Sequence, residues 1–137
     1  MNQAIRIDWD KMDGLVPAIV QDADTGDVLM LGYMNPAALG KTRETGKVTF
    51  YSRSKQRLWT KGETSGNTLS FVEAIPDCDA DALLVRARPA GPTCHTNTWT
   101  CFGDDVRPPL AFLGRLDRLI EAQERDRPEG SYTTKLF

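Results

Sequence analysis

All three cysteines and the only histidine of this 137-residue chain fall between Cys78 and Cys101. Three aspartates, Asp77, Asp79 and Asp81, open the same segment at every second position. Soft and hard metal donors are thus packed into one short stretch. The same stretch holds an apolar run, Leu83-Leu84-Val85, and a Gly91-Pro92-Thr93 loop before Cys94. The rest of the chain reads as support for it. No C-x-x-C occurs, because 15 residues separate Cys78 from Cys94 and six separate Cys94 from Cys101. That spacing excludes a zinc ribbon and a thioredoxin-type motif. Three readings stay open: a catalytic zinc with three thiolates and one open position, a closed structural zinc with a fourth ligand, or small buried thiols with no ion. His95 is the obvious fourth ligand. Yet it directly follows Cys94, and adjacent residues rarely reach one ion without strain. Left off the metal, it would serve as an acid–base group.

The aspartates fail the calcium-loop test. That loop wants Gly at its sixth position and Glu at its twelfth. Counting from Asp77, those positions are Ala82 and Arg88. In an extended chain, alternation would put the three carboxylates on one side and Cys78 on the other. Carboxylates so gathered repel one another, and a hard divalent ion such as Mg²⁺ would relieve that.

The chain is long enough for one domain with a real core. Its net charge of -2 gives no global basic footprint, so nucleic acid is not an expected partner. The N-terminus is no signal peptide, and no apolar run approaches the roughly 20 residues of a membrane span. The expectation is a cytosolic protein without a membrane partner.

Apolar patterning and turn residues predict a hairpin. Its strands are 15–21, with Pro17 suggesting an edge position or bulge, and 28–33, joined by a turn at 22–27. Asn35 and Pro36 predict the start of a helix that runs to Thr45 and stops at Gly46. Further strands are expected at 48–51, 68–75 and 82–87, a loop at 88–102, and a helix at 110–125 after Pro108-Pro109. The stretch 52–67 is rich in cations, hydroxyls and glycine, with one tryptophan, Trp59. It reads either as a solvated loop or as a phosphate-binding segment. In the second reading Arg supplies fork-shaped donors and glycines admit backbone N–H groups to an anion.

Three motifs together resemble a known family. They are Ser52-Arg53-Ser54-Lys55 with Leu58-Trp59-Thr60-Lys61-Gly62-Glu63-Thr64-Ser65-Gly66-Asn67, then Asp77-Cys78-Asp79-Ala80-Asp81, then Gly91-Pro92-Thr93-Cys94-His95-Thr96 with Cys101-Phe102. In this order they resemble phosphoribosyl-AMP cyclohydrolase of histidine biosynthesis, over about residues 13–102. Two departures stand out. Asn97 replaces a usual Gly, and Asn is the next residue most tolerant of positive φ. Thr100 replaces a usual Ser and keeps the hydroxyl.

The resemblance implies hydrolytic opening of the adenine ring of phosphoribosyl-AMP between N1 and C6. It implies zinc at Cys78, Cys94 and Cys101, with ligands drawn from two subunits of a homodimer, Mg²⁺ at Asp77, Asp79 and Asp81, and a catalytic role for His95. It implies a small α+β fold, rich in antiparallel strands and intertwined across the dimer. The two phosphates of the nucleotide suit Arg53, Lys55, Arg57 and Lys61 and also Mg²⁺, and substrate binding is expected along Ser52, Arg53, Lys55, Trp59, Lys61, Glu63, Thr64, Ser65, Gly66 and Asn67. Residues 108–137 resemble the start of a phosphoribosyl-ATP pyrophosphohydrolase domain, read as truncated at Phe137. A structural zinc module with an RNA-binding loop is the rival reading, and it leaves the aspartates without a role. A different zinc hydrolase or deaminase acting on a nucleotide is a second rival, but the usual H-x-E and P-C-x-x-C signature is absent.

Overall fold

The computed structural model describes residues 5–107. The helix expected at 110–125 and the tail after it lie outside the described residues. The elements are β1 (Val16–Asp22), β2 (Val28–Met34), α1 (Pro36–Thr45), β3 (Thr49–Ser52), β4 (Arg57–Thr60), β5 (Leu69–Pro76) and β6 (Leu83–Pro89). Four strands form a sheet in the order β2-β1-β6-β5, and β3 pairs with β4 alone. Every pairing is antiparallel except β1 with β6. The expected small α+β architecture, rich in antiparallel strands, is what the chain adopts. No helix among the described residues is long and apolar enough to cross a membrane.

Local chemistry accounts for the elements. The β1–β2 turn is held by Asp22, whose carboxylate accepts from the backbone N–H groups of Asp24 and Thr25. Gly26 takes a φ of 82° in that turn, which costs glycine little. The side chain of Asn35 caps α1 by accepting from the Ala38 N–H at 2.8 Å. Gly46 closes the helix in the left-handed region.

Pro17 does not sit in an edge strand, as its sequence suggested. β1 is an inner strand, but its ladder to β6 begins only at Ala18. Pro17 therefore pairs on one side only, with Tyr33 of β2, and its missing N–H breaks no second ladder. The irregularity in β1 lies elsewhere, between Val20 and Gln21.

One face of the sheet builds the core. Val16, Ala18 and Val20 of β1, Leu29 and Met34 of β2, and Val85 of β6 are fully buried there, with Leu69 and Phe50. Phe50 packs directly beneath Gly32 and would collide with any β-carbon at that position. It also meets the Trp59 ring at a centroid distance of 5.3 Å. Helix α1 contributes Ala38, Leu39 and Thr42. The Thr42 hydroxyl donates to the Ala38 carbonyl and accepts from the Thr49 N–H, tying helix to hairpin.

Candidate active site and its metal-binding residues

Strands β5 and β6 form a hairpin whose tip carries the aspartates. The tip is a turn and not an extended strand, so simple alternation does not gather the carboxylates. Ala80 takes a φ of 63°, and an Asp77 side-chain oxygen accepts from the N–H groups of Asp81 and Ala82. The turn still brings one oxygen from each of Asp77, Asp79 and Asp81 within 4.8 Å of one another.

A cation already sits against them. The Lys11 ammonium lies 3.0 Å from Asp79 and 3.1 Å from Asp81. The segment before it is pinned by a 2.7 Å hydrogen bond from the Asp8 N–H to the Ala80 carbonyl. Lys11 holds the Asp79 carboxyl below its usual range. It also draws Asp81 down, but Asp79, partial burial and Asp77 together push Asp81 up. Asp79 and Asp81 thus differ in basicity at the tip of one turn. This donor set suits a hard divalent ion, and the ammonium stands in for its charge. Sequence reasoning missed Lys11, because it stands 68 positions before Asp79 and no local pattern links the two.

The thiols divide into two groups. Cys94 and Cys101 lie close enough to interact. Cys94 has its sulfur 3.0 Å from the Thr96 hydroxyl. That hydrogen bond, backed by the Thr96 N–H, lowers the Cys94 thiol to about 7. Burial and the neighbouring Cys94 raise Cys101, while the charge of Lys61 works against them. A paired set with one thiolate-prone member suits a soft ion such as zinc.

Their loop is fastened to the turn end of the β1–β2 hairpin. The Cys101 N–H donates to the Leu29 carbonyl at 2.8 Å. The Trp99 indole N–H reaches Asp22 at 3.4 Å, and Arg107 pairs with Asp27 at 3.0 Å. Cys78 sits at the opposite end, on the β5–β6 tip. Among the described residues, the aspartates form the one group of three such donors drawn together.

Both departures in this loop are accommodated. Asn97 has a φ of 70°, as its tolerance of that region predicts. The buried Thr100 hydroxyl donates to the Gly103 carbonyl and accepts from the Phe102 N–H. His95 is exposed in the tight turn that the Asn97 N–H closes onto the Cys94 carbonyl.

The segment 52–67 is not one loop. Arg57–Thr60 forms strand β4, a pairing that the run of cations concealed. A cleft of about 370 Å³ opens beside it, lined by Ser52, Lys55, Trp59, Glu63, Thr64 and Ser65, and also by Arg57, Thr60 and Gly62. Arg57 pairs with Glu63 at 3.1 Å and, together with the Thr60 N–H, lowers the Glu63 carboxyl. Arg53 turns away and lies over the Tyr33 ring, 4.1 Å from its centre. Lys61 stands near Cys101 instead. Gly66 and Asn67 shape the turn behind the cleft, where the Gly66 N–H donates to the Gly62 carbonyl and Asn67 packs against Gly91. Gly62 itself has a φ of 83°, and a β-carbon there would strike the Asn67 backbone.

The family model for phosphoribosyl-AMP cyclohydrolase matches residues 30–103. The histidine biosynthesis bifunctional protein HisIE of Escherichia coli (strain K12) is 60% identical over 135 residues, covering 98% of this chain and 66% of that protein. Its counterpart in Xanthomonas campestris pv. campestris is 63% identical over 131 residues, covering 96% of this chain and 62% of that protein. The HisIE protein of Salmonella typhimurium (strain LT2) is 58% identical, with 98% and 66% covered. The chain thus spans 62–66% of the length of these relatives. The matched region contains the aspartate turn, the three cysteines, His95 and the basic cleft, and on that ground the chain belongs to the phosphoribosyl-AMP cyclohydrolase family.

Proposed function

We propose that the chain opens the adenine ring of phosphoribosyl-AMP by hydrolysis of the N1–C6 bond, a step of histidine biosynthesis. The observation that carries this reading is the family match across residues 30–103, which takes in the aspartate turn, the three cysteines, His95 and the cleft. In this reading Cys94 and Cys101 hold zinc together with Cys78 from a second copy of the chain. Asp77, Asp79 and Asp81 hold Mg²⁺. Zinc, when held there, supplies the Lewis acidity that makes water a nucleophile at neutral pH.

The chain's own residues do the rest. His95, exposed beside Cys94, takes a proton from the attacking water. It returns that proton to N1 as the N1–C6 bond breaks and the water oxygen stays on C6. Three thiolates donate heavily to their ion, so a neighbouring base contributes more here than it would beside three imidazoles. In the cleft, Lys55 makes no ion pair among the described residues and is available to a phosphate. The Ser52 hydroxyl accepts from the Lys55 N–H and fixes the loop. Trp59 gives the cleft an aromatic wall.

Ultraviolet monitoring of phosphoribosyl-AMP with protein loaded with zinc and magnesium tests the activity. His95→Asn is expected to keep zinc and to lose roughly 10²–10⁴ in turnover. No ring opening by the loaded wild-type protein would refute the function. Loss of zinc from His95→Asn would make His95 a ligand.

A further inference from the structure

An ion pair with one fully buried member fastens the thiol loop to the β1–β2 turn. Asp27 has no exposure at all. Its Oδ2 faces Arg107 Nε and Nη2, each at 3.0 Å, and accepts from the Thr25 hydroxyl at 2.8 Å. Its Oδ1 is buried and has no partner among the described residues. A buried pair contributes little net stability, because desolvation offsets the attraction, and its best-attested use is to hold one arrangement over others. Here the arrangement held is a loop 80 positions away along the chain. The Arg107 guanidinium lies 5.5 Å from the centre of the Trp99 ring, within cation–π range. The Trp99 indole N–H reaches Asp22, which is also buried. The Trp99 carbonyl accepts from the Thr93 N–H, and the Thr98 carbonyl accepts from the Cys94 N–H. On the other side of Trp99, the Cys101 N–H donates to the Leu29 carbonyl, two positions past Asp27. Trp99 therefore ties both thiol-bearing arms of the loop to the Asp27–Arg107 pair.

We propose that Asp27 and Arg107 are positioning residues, which act through Trp99 to hold Cys94 and Cys101 in place for a soft metal ion. The inference rests on the zinc reading above and deepens it. Asp27 is enclosed and Arg107 is cationic, so neither serves as a ligand. Their contribution is order. Ligands held in place before binding spare it the cost of ordering them, and groups that orient ligands matter to metal affinity although they never touch the ion. The loop itself supplies little of that order. Its Cys94–Thr98 and Thr93–Trp99 backbone bonds are both 3.2 Å long, and its cysteine and histidine side chains are not buried.

The experiment compares three full chains: wild type, the double variant Asp27→Asn with Arg107→Met, and Arg107→Lys. The double variant removes both charges, because Arg107→Met alone would strand a buried carboxylate and endanger the fold. Far-ultraviolet circular dichroism reads the fold, amide exchange at the Cys101 N–H of the metal-free protein reads the loop, and competition with a chromophoric chelator reads zinc affinity. The double variant is expected to keep its circular dichroism and to exchange the Cys101 amide about tenfold faster. It should bind zinc roughly 10–100-fold more weakly. Arg107→Lys keeps the charge and should recover most of both losses. Unchanged exchange or unchanged zinc affinity in a folded double variant would overturn the inference. So would loss of its circular dichroism, which would make the pair a support of the whole fold. A wild type that binds no zinc, with the Cys101 amide still freed in the double variant, would refute the zinc reading and support the hold of the pair on the thiol loop.

Discussion

Lys11 is the residue whose position most changes the reading of the acidic turn. It lies in a short 3₁₀ segment, Asp10–Met12, and its ammonium bridges Asp79 and Asp81. Both partners are partly exposed, so the bridge is of the weak, solvent-screened kind. A divalent ion at the same carboxylates must displace the ammonium or bind beside it, and either event opposes binding. Lys11→Met is therefore expected to tighten Mn²⁺ or Mg²⁺ binding by roughly two- to fivefold, read by calorimetry. Asp79→Asn should lose that binding. Unchanged affinity in Lys11→Met would show that the lysine does not compete. Asn97 and Thr100 behave more simply at this scale. Each was legible because a single backbone angle or hydroxyl explains it.

At the scale of elements, the β3–β4 hairpin holds up the cleft. Phe50 pairs across it with Trp59 and fills the space under Gly32. Its full burial makes Phe50→Ala a cavity-forming change, expected to cost about 3–5 kcal/mol. Denaturant unfolding measures it, and a loss under about 1 kcal/mol would mean the hairpin collapses onto the gap. Helix α1 is a milder case. Asn35→Ala removes one cap hydrogen bond and should cost about 1 kcal/mol in the same measurement. The helix was readable to its last residue because caps act within one turn of chain. Strand β4 was hidden because its cations and hydroxyls lack period-two apolar alternation, and only pairing with β3 makes it a strand.

At the scale of the whole molecule, the proposed zinc site would draw its thiols from more than one chain. Mixing Cys78→Ala with Cys101→Ala tests this. Each homodimer would lack a ligand at both sites, while the mixed dimer would regain one intact site of two. Recovered zinc binding and ring opening after subunit exchange are expected. Confirmed exchange with no recovery would count against a shared site. The order of amino acids was enough to single out the candidate donors, because residue type and spacing fix which atoms are hard or soft and which motifs are excluded. It was enough for α1 and the β1–β2 turn as well, whose causes are local. Packing in three dimensions was needed to put Pro17 in an inner strand and to bring Lys11 to the aspartates. It was the β1–β6 register that set Cys78 apart from Cys94 and Cys101. Those outcomes depend on strand order and on which ends of the sheet the loops reach, and no local preference of the chain encodes either.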